Sequence, residues 1–337
     1  MPMAIGSWSK KVVATRIVAA DGSGDYTSIQ PAIDSLPAGG GVVYIKEGTY
    51  TITTAITMGD NNIALIGAGK STKIATTADI DMISATSKSG LLIDSVYLYG
   101  AGSGNGSNRG VLFDDVSDSI IRSCWIENCG DMGIYASGGS TGLVITGNII
   151  TSNYSIGVFL ESSYYSTFSF NVIESSAHQG IAIAYSIEDV VVGNTIKSNT
   201  RSGLWIDTSL TITVTGNIIA SNGRNGVLIT DSEDNSIVAN IITNNDSGNT
   251  ATYDGISLSG DSNDNIIVGN RIKDNDNYEI NVAAGTCNNN FITGNSIEGT
   301  DHEGDINDEG TNTGINHGGG LACRYDSNAY NCSTYIE

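Results

Sequence analysis

The chain has 337 residues, with 36 acidic against 15 basic side chains and a formal net charge of −21. That balance excludes a nucleic-acid partner, which needs clustered Lys and Arg, and it disfavours an anionic membrane surface. With 42 Gly, 3 Pro, abundant Asn and a charged fraction of 15%, the composition predicts many short strands joined by tight turns. The length allows two domains, yet an elongated repeat fold uses all of it. No run approaches the ~20 apolar residues of a membrane-spanning helix. Met1 to Lys11 carries no apolar stretch of a secretory leader, which leaves two expectations: a leader already removed, or another route out of the cell, such as a virion.

In chain order, Tyr26 to Leu36 reads as a short helix after a Gly-rich turn, suited to capping an open solenoid end. Gly39-Gly40-Gly41 leads into the apolar run Val42-Val43-Tyr44-Ile45. Gly67-Ala68-Gly69-Lys70 lacks the spacing of a phosphate-cradling loop and is assigned to a turn between strands.

From there a repeat governs the chain. Asn148, Asn171, Asn194, Asn217 and Asn240 follow one another in steps of 23 residues, and Asn270 and Asn295 continue the series with steps of 30 and 25. Gly133-Ile134, Gly157-Val158, Gly180-Ile181, Gly203-Leu204, Gly226-Val227 and Gly255-Ile256 each open a Gly-apolar-x-apolar strand. A third apolar position lies three residues before each Asn: Ile145, Phe168, Val191, Val214, Ile237, Ile267 and Ile292. Alternation with period 2 and no long 3.6-period run means three short strands per repeat, not helices. Propeller blades need longer repeats, and a Leu-rich-repeat frame is missing. Stacked triangular coils of parallel strands remain: an all-β parallel β-helix of ~10 coils, with an N-terminal capping helix. The expected division is 1–50 as N-terminal segment and cap, 51–298 as the β-helix, and 299–337 as a C-terminal cap or tail. In such a stack an Asn at an inward corner bonds its counterpart one strand spacing away, ~4.8 Å, so the Asn column is structural.

Ala20-Asp21-Gly22-Ser23-Gly24-Asp25-Tyr26-Thr27-Ser28-Ile29-Gln30 resembles the opening of pectin methylesterases. Gly39 to Tyr50 resembles the first coil of pectate-lyase-like and tailspike β-helices, and the 23-residue repeats are similar to the right-handed parallel β-helix superfamily. These resemblances cover nearly the whole chain and imply the fold. They imply no particular reaction. The Asn-Thr-Asp, Asp-Asp and Gly-His-Gly set of polygalacturonases is missing, as are the Asp-Pro-His-Glu motif of alginate epimerases and the later catalytic motifs of pectin methylesterases.

The x positions of each Gly-apolar-x-apolar-x strand point outward and stack into columns. One column reads Tyr135, Phe159, Ala182, Trp205, Leu228, Ser257, and the next reads Ser137, Glu161, Ala184, Asp207, Thr230, Ser259. The preceding turns add Asp131, Tyr154, His178, Arg201 and Arg224, and Tyr185 lies at the far end of the middle coil. Aligned Tyr, Phe and Trp suit sugar-ring stacking, and Ala182 with Ala184 predict a notch between larger neighbours. Glu161 and Asp207 stand two coils apart, ~9–10 Å between backbones, within reach of the ~6.5–9.5 Å carboxyl separation of inverting hydrolysis. One carboxyl kept protonated would donate to the leaving oxygen while the other activates water. For β-elimination, Arg201 and Arg224 would hold a uronate or sulfate, with His178 or Tyr185 as base. Catalytic candidates are therefore Glu161, Asp207, His178, Tyr185 and Arg201; binding candidates are Tyr135, Phe159, Trp205, Arg224, Tyr154 and Asp131. The competing readings are a solvated face or a subunit contact.

The coil between Asn240 and Gly255 carries an insertion over 244–253, expected as a groove wall bordering this face. The acidic run Asp301 to Glu309 offers hard oxygen ligands suited to Ca²⁺ but lacks EF-hand spacing, so a solvated loop is the stronger reading and no cofactor is required. Cys323 with Cys332, and Cys124 with Cys129, either pair or stand as free thiols. The expected function is a carbohydrate-active β-helix that binds and cleaves a polysaccharide, with acidic polymers among the candidates, as hydrolase or lyase. The alternatives are a non-catalytic tailspike or adhesin and a polyuronate epimerase. The expected setting is extracellular or virion-associated, as monomer or homotrimer, with no membrane partner.

Overall fold

A computed structural model describes residues 15–316, apart from 249, 284 and 299–305, together with the backbone of 323–326 and 329–332. Each coil lays down three short parallel strands. A strand of sheet 1, such as Ile134–Ser137, is followed by one of sheet 2, Val144–Thr146, and one of sheet 3, Ile149–Thr151. The next coil pairs in register with each: Ile134 with Val158, Ile145 with Phe168, Ile150 with Ile173. Among the described residues, sheets 1 and 3 hold 11 strands each and sheet 2 holds 15, its last two antiparallel.

The alternation of each strand divides core from surface. In Leu204–Asp207, Leu204 and Ile206 are fully buried while Trp205 and Asp207 are half-exposed. Stacking repeats this division, so Ile134, Val158, Ile181, Leu204, Val227 and Ile256 form one buried column within a core that runs the length of the solenoid. All seven apolar positions that precede the Asn series are buried as well.

The Asn column is a hydrogen-bonded ladder. Asn171 donates from both its backbone N and its Nδ2 to Asn194 Oδ1, and Asn194 donates likewise to Asn217, a pattern that runs from Asn148 to Asn295. The Nδ2 groups also donate to buried carbonyls such as Phe168 O. A second ladder at the following corner, Asn199–Asn222–Asn245–Asn275, and a third, Asn235–Asn265–Asn290, lay outside the sequence expectation.

The glycine that opens each sheet 1 strand is required by close approach. A Cβ on Gly203 would lie 2.5 Å from Ile219 Cγ2, 2.7 Å from Asn222 Nδ2 and 2.9 Å from Gly226 O. These contacts explain why Gly precedes the strand in coil after coil.

The helix expected over Tyr26–Leu36 is shorter, Ile29–Asp34, with Ile29, Ala32 and Ile33 buried against the first coils. Stacked rungs extend on both sides of 51–298. Arg16–Val18 already pairs with Gly41–Ile45, and Ile306–Asp308 and Gly314–Asn316 continue sheets 1 and 2 after the sequence period fails. Among the described residues sheet 2 thus stacks 13 parallel strands and sheets 1 and 3 eleven each, in keeping with the solenoid length expected.

Cys124 and Cys129 do not pair. Each occupies a separate ladder corner, Cys124 N donating to Asn148 Oδ1 and Cys129 N to Asn153 Oδ1, with the strand Trp125–Glu127 between them. Burial pushes the Cys124 thiol up to about 12, so it is inert as a nucleophile. Cys323 and Cys332 are register partners on adjacent antiparallel strands, and their side chains lie outside the described residues. The acidic run from Asp301 lies largely outside them too. Among the described residues no group of three or more His, Cys, Asp or Glu side chains is placed to hold a metal ion.

Candidate functional site

The outward columns of sheet 1 form as the alternation dictates. Strand register aligns Leu112, Tyr135, Phe159, Ala182, Trp205, Leu228, Ser257 and Asn281 in the first column. In the second it aligns Glu161, Ala184, Asp207, Thr230 and Ser259. The notch expected over the two alanines is closed: Ala182 is 0% and Ala184 2% exposed, because their larger neighbours cover them.

The corner leading into sheet 1 carries the charged groups. Backbone bonds run Asp131 N to Asn108 O, Ser155 N to Asp131 O, His178 N to Ser155 O and Arg201 N to His178 O, with spacings of 3.0–3.1 Å. Asp131, Ser155, His178 and Arg201 therefore occupy one column; Arg224, two residues before Gly226, holds the equivalent place in the next coil, and its carbonyl accepts from the Asp246 amide. Tyr154 is not in it. Its amide bonds Cys129 O, which places it one step back along the turn, in the column of Ala177 and Thr200, with its ring 45% exposed. Ser155 holds the position assigned to Tyr154. Tyr185 also stands apart, exposed at the opposite edge of sheet 1, where its φ of 55° marks the turn out of Ile181–Ala184. A four-residue strand at ~3.3 Å per residue separates it from the His178 corner, so the two are not alternative bases for one substrate position.

At the N-terminal end of the face, one network links five side chains. Arg109 forks onto Asp81, Nε to Oδ1 at 2.6 Å and Nη2 to Oδ2 at 3.1 Å. Its guanidinium carbon lies 5.3 Å from the Tyr135 ring centroid. Tyr135 stacks on Phe159 with centroids 5.4 Å apart and rings inclined by 23°, and its hydroxyl donates to Glu161 Oε2. Burial, then the Glu161 carboxylate, pushes the Tyr135 phenol up to about 12. Asp131 is raised above the ordinary carboxylate range by burial, against the Ser155 hydrogen bond and the Arg109 charge. Asp207 is raised by burial first and then by Asp231 one coil away. Arg109 and Asp81 escaped the sequence reading, although Arg109 directly precedes Gly110, which continues the glycine column one coil before Gly133.

His178 is driven below its ordinary value by burial first and then by the Arg201 charge, with Asp131 pulling weakly the other way. It is neutral at pH 7, with Nδ1 3.5 Å from Ser155 Oγ. Arg201 and Arg224 make no ion pair with a carboxylate among the described residues. The insertion expected as a wall is held by buried Asp246, which accepts from Thr250 Oγ1 and from the amides of Thr252 and Tyr253. That anchoring sets the Tyr253 ring 5.3 Å from the Arg224 guanidinium carbon.

Comparison with known proteins fits this geometry. The family model of right-handed β-helix regions matches residues 109–253, which contain most of the face. The chain is a right-handed parallel β-helix. The pectinesterase family model matches residues 15–93 of this β-helix, and that of the periplasmic copper-binding protein NosD matches residues 199–317. Pectinesterase 3 of Solanum lycopersicum is 33% identical over 73 residues, 21% of this chain and only 13% of that protein's length. Among solved structures, the Azotobacter vinelandii mannuronan C-5 epimerase AlgE6 A-module superposes with a TM-score of 0.69 at 21% identity, over 86% of this chain and 93% of that one. ORF18 of Geobacillus virus E2 gives a TM-score of 0.61 at 18% identity, over 91% and 66%. Tailspike protein 2 of the Escherichia coli O157:H7 bacteriophage CAB120 gives 0.59 at 16%, over 72% and 35%.

Proposed function

We propose that this β-helix acts on an acidic polysaccharide, removing the proton next to a uronate carboxylate at the corner of sheet 1. The observation that carries this reading is one column holding a neutral imidazole, His178, beside two guanidinium groups without carboxylate partners, Arg201 and Arg224. Arginine is suited to pairing a planar carboxylate, and neutralising that carboxylate makes the adjacent C–H removable. A neutral imidazole then accepts the proton. Trp205 and Phe159 supply surfaces for sugar rings on the adjoining sheet. Elimination follows if the C4–O bond breaks and its oxygen leaves with a proton; epimerisation follows if a proton returns to the other face. The likeness to a mannuronan C-5 epimerase module, to phage proteins and to the periplasmic NosD family supports a polysaccharide partner and an extracellular, periplasmic or virion setting. Among the described residues no helix is long and apolar enough to cross a membrane.

Hydrolysis by Glu161 and Asp207 is the less favoured chemistry, because Glu161 is engaged by the Tyr135 hydroxyl. The test incubates the protein with polymannuronate, polyguluronate, polygalacturonate and hyaluronan in D₂O. Ultraviolet absorbance reads elimination, deuterium at C5 reads epimerisation, and reducing ends without absorbance read hydrolysis. His178→Gln and Arg201→Ala should each lower the first or second signal by 10²-fold or more, on the scale of a lost general base. Hydrolysis abolished by Glu161→Gln would replace this reading, and a stable trimer inactive on every polymer would make the face a binding or contact surface. The depressed His178 value has a further consequence. The base is neutral down to pH values below the ordinary 6.5, so the acid limb of the activity profile should fall below 6.5. Arg201→Met, which removes the depressing charge, should move that limb upward in whatever activity remains.

A further inference from the structure

Away from sheet 1, one part of sheet 3 gathers cations and aromatic rings that the sequence reading did not single out. Strands Thr72–Ala75, Tyr97–Tyr99 and Trp125–Glu127 stack so that Lys73, Tyr97 and Trp125 form one outward column and Ala75, Tyr99 and Glu127 the next. The turn Gly69–Ser71 sets Lys70 beside them. Lys70 Nζ lies 3.3 Å from the Trp125 ring centroid and 5.4 Å from that of Tyr97. Lys73 Nζ lies 4.0 Å from the Tyr99 centroid and 5.2 Å from that of Tyr97. Glu127 does not neutralise them. It accepts from the Tyr97 hydroxyl at 2.8 Å and from Trp125 Nε1 at 3.0 Å, and among the described residues neither ammonium is ion-paired.

In a chain of net charge −21, two adjacent lysines without carboxylate partners are a departure, since acidic side chains outnumber basic ones 36 to 15. Cation–π contacts orient each ammonium but leave its protons free to donate. Aromatic surface next to free ammonium groups matches a ligand with an apolar ring face and an anionic substituent. We propose that Lys70, Lys73, Tyr97, Tyr99 and Trp125 form a second carbohydrate subsite, taking one acidic sugar unit, with its carboxylate or sulfate on the lysines and its ring against the aromatic side chains. The subsite lies on a different sheet from the His178 corner, so it anchors a polymer without taking part in the chemistry, and it stands whether or not sheet 1 is catalytic.

The test uses Trp8→Phe/Trp205→Phe protein, which leaves Trp125 as the single tryptophan of the chain. A uronate hexasaccharide should change that fluorescence saturably, with affinity falling as salt rises. Lys70→Met/Lys73→Met, which keeps most of each aliphatic stem, should weaken binding at least tenfold at an unchanged melting temperature. Lys70→Arg/Lys73→Arg should restore it, and this variant decides the matter if the methionine protein folds poorly. Equal affinity for the parent and the methionine variant, or for a neutral hexasaccharide, would overturn the subsite. Inorganic sulfate binding as tightly as the hexasaccharide would overturn the assignment to a sugar.

Discussion

Asn194→Leu should lower the melting temperature more than any substitution on the outward face of sheet 1. The Asn194 side chain is buried and makes five hydrogen bonds: Oδ1 accepts from the Asn171 amide and Nδ2, and Nδ2 donates to Phe168 O, Val192 O and Asn217 Oδ1. Leucine fills a similar volume but satisfies none of them. Asn171 Nδ2 keeps Ile145 O as a partner, and Asn217 Oδ1 keeps the Asn194 amide. The Asn171 amide loses its partner, whereas Val192 O keeps the Phe170 amide. At ~1–3 kcal/mol for the buried amide left without a partner and ~0.5–1.5 kcal/mol for each further hydrogen bond lost, the cost is roughly 2–5 kcal/mol. Because each coil of a solenoid contacts only its neighbours, the damage should be local. Hydrogen exchange should rise in the coils around 168–217 while the N-terminal coils keep their protection. A loss below about 1 kcal/mol, or exchange rising evenly along the chain, would contradict the ladder's role.

Asp189→Asn should act in the opposite direction, with a gain that grows as pH rises from about 4 to 7 and stays high above. Asp189 is fully buried; its Oδ1 accepts from the Ser166 amide at 2.7 Å, while Oδ2 has no hydrogen-bond partner among the described residues. Burial pushes its carboxyl from 3.8 to about 7. Between these values the unfolded chain has shed the proton and the folded chain holds it, so stability falls as pH rises from about 4 to 7 and stays low above. At about 1.4 kcal/mol per pH unit, the penalty at pH 8 is on the order of 4 kcal/mol. Asparagine suits the position. Farther along the same column, Asn265 and Asn290 donate from Nδ2 to the carbonyls of Ser232 and Ser262, and Ser163 stands in the corresponding place below residue 189. The variant should melt well above wild type at pH 8 and with it near pH 4. Equal gains at both pH values would show that the carboxyl's charge is not the cause.

The sequence alone determined the architecture, because a solenoid is built from short-range rules repeated. Period-2 alternation assigned inside and outside, so the apolar positions of Gly203-Leu204-Trp205-Ile206 and its equivalents are all buried. The even spacing from Asn148 to Asn240 identified a ladder, since one corner residue can meet its counterpart only if every coil has the same length. The Asn153, Asn199, Asn222 and Asn245 corner went unseen because Ser176 interrupts it and Asn is common in ordinary turns. The outward columns of sheet 1 were legible for the same reason as the core. The turns were not, because their positions depend on backbone hydrogen bonds and not on alternation; hence Tyr154 was placed where Ser155 stands.

What only the tertiary structure decided is which side chains meet across coils. Arg109 reaches Asp81 and Tyr135, Tyr135 closes onto Glu161, and Tyr253 meets Arg224 through a loop held by Asp246. Each of these contacts joins residues 23 or more positions apart, or depends on an insertion that breaks the period. The protonation of His178 and Asp189 belongs to this second class. Both values arise from burial among neighbours that approach only once the coils have stacked, and no residue type or spacing carries that information.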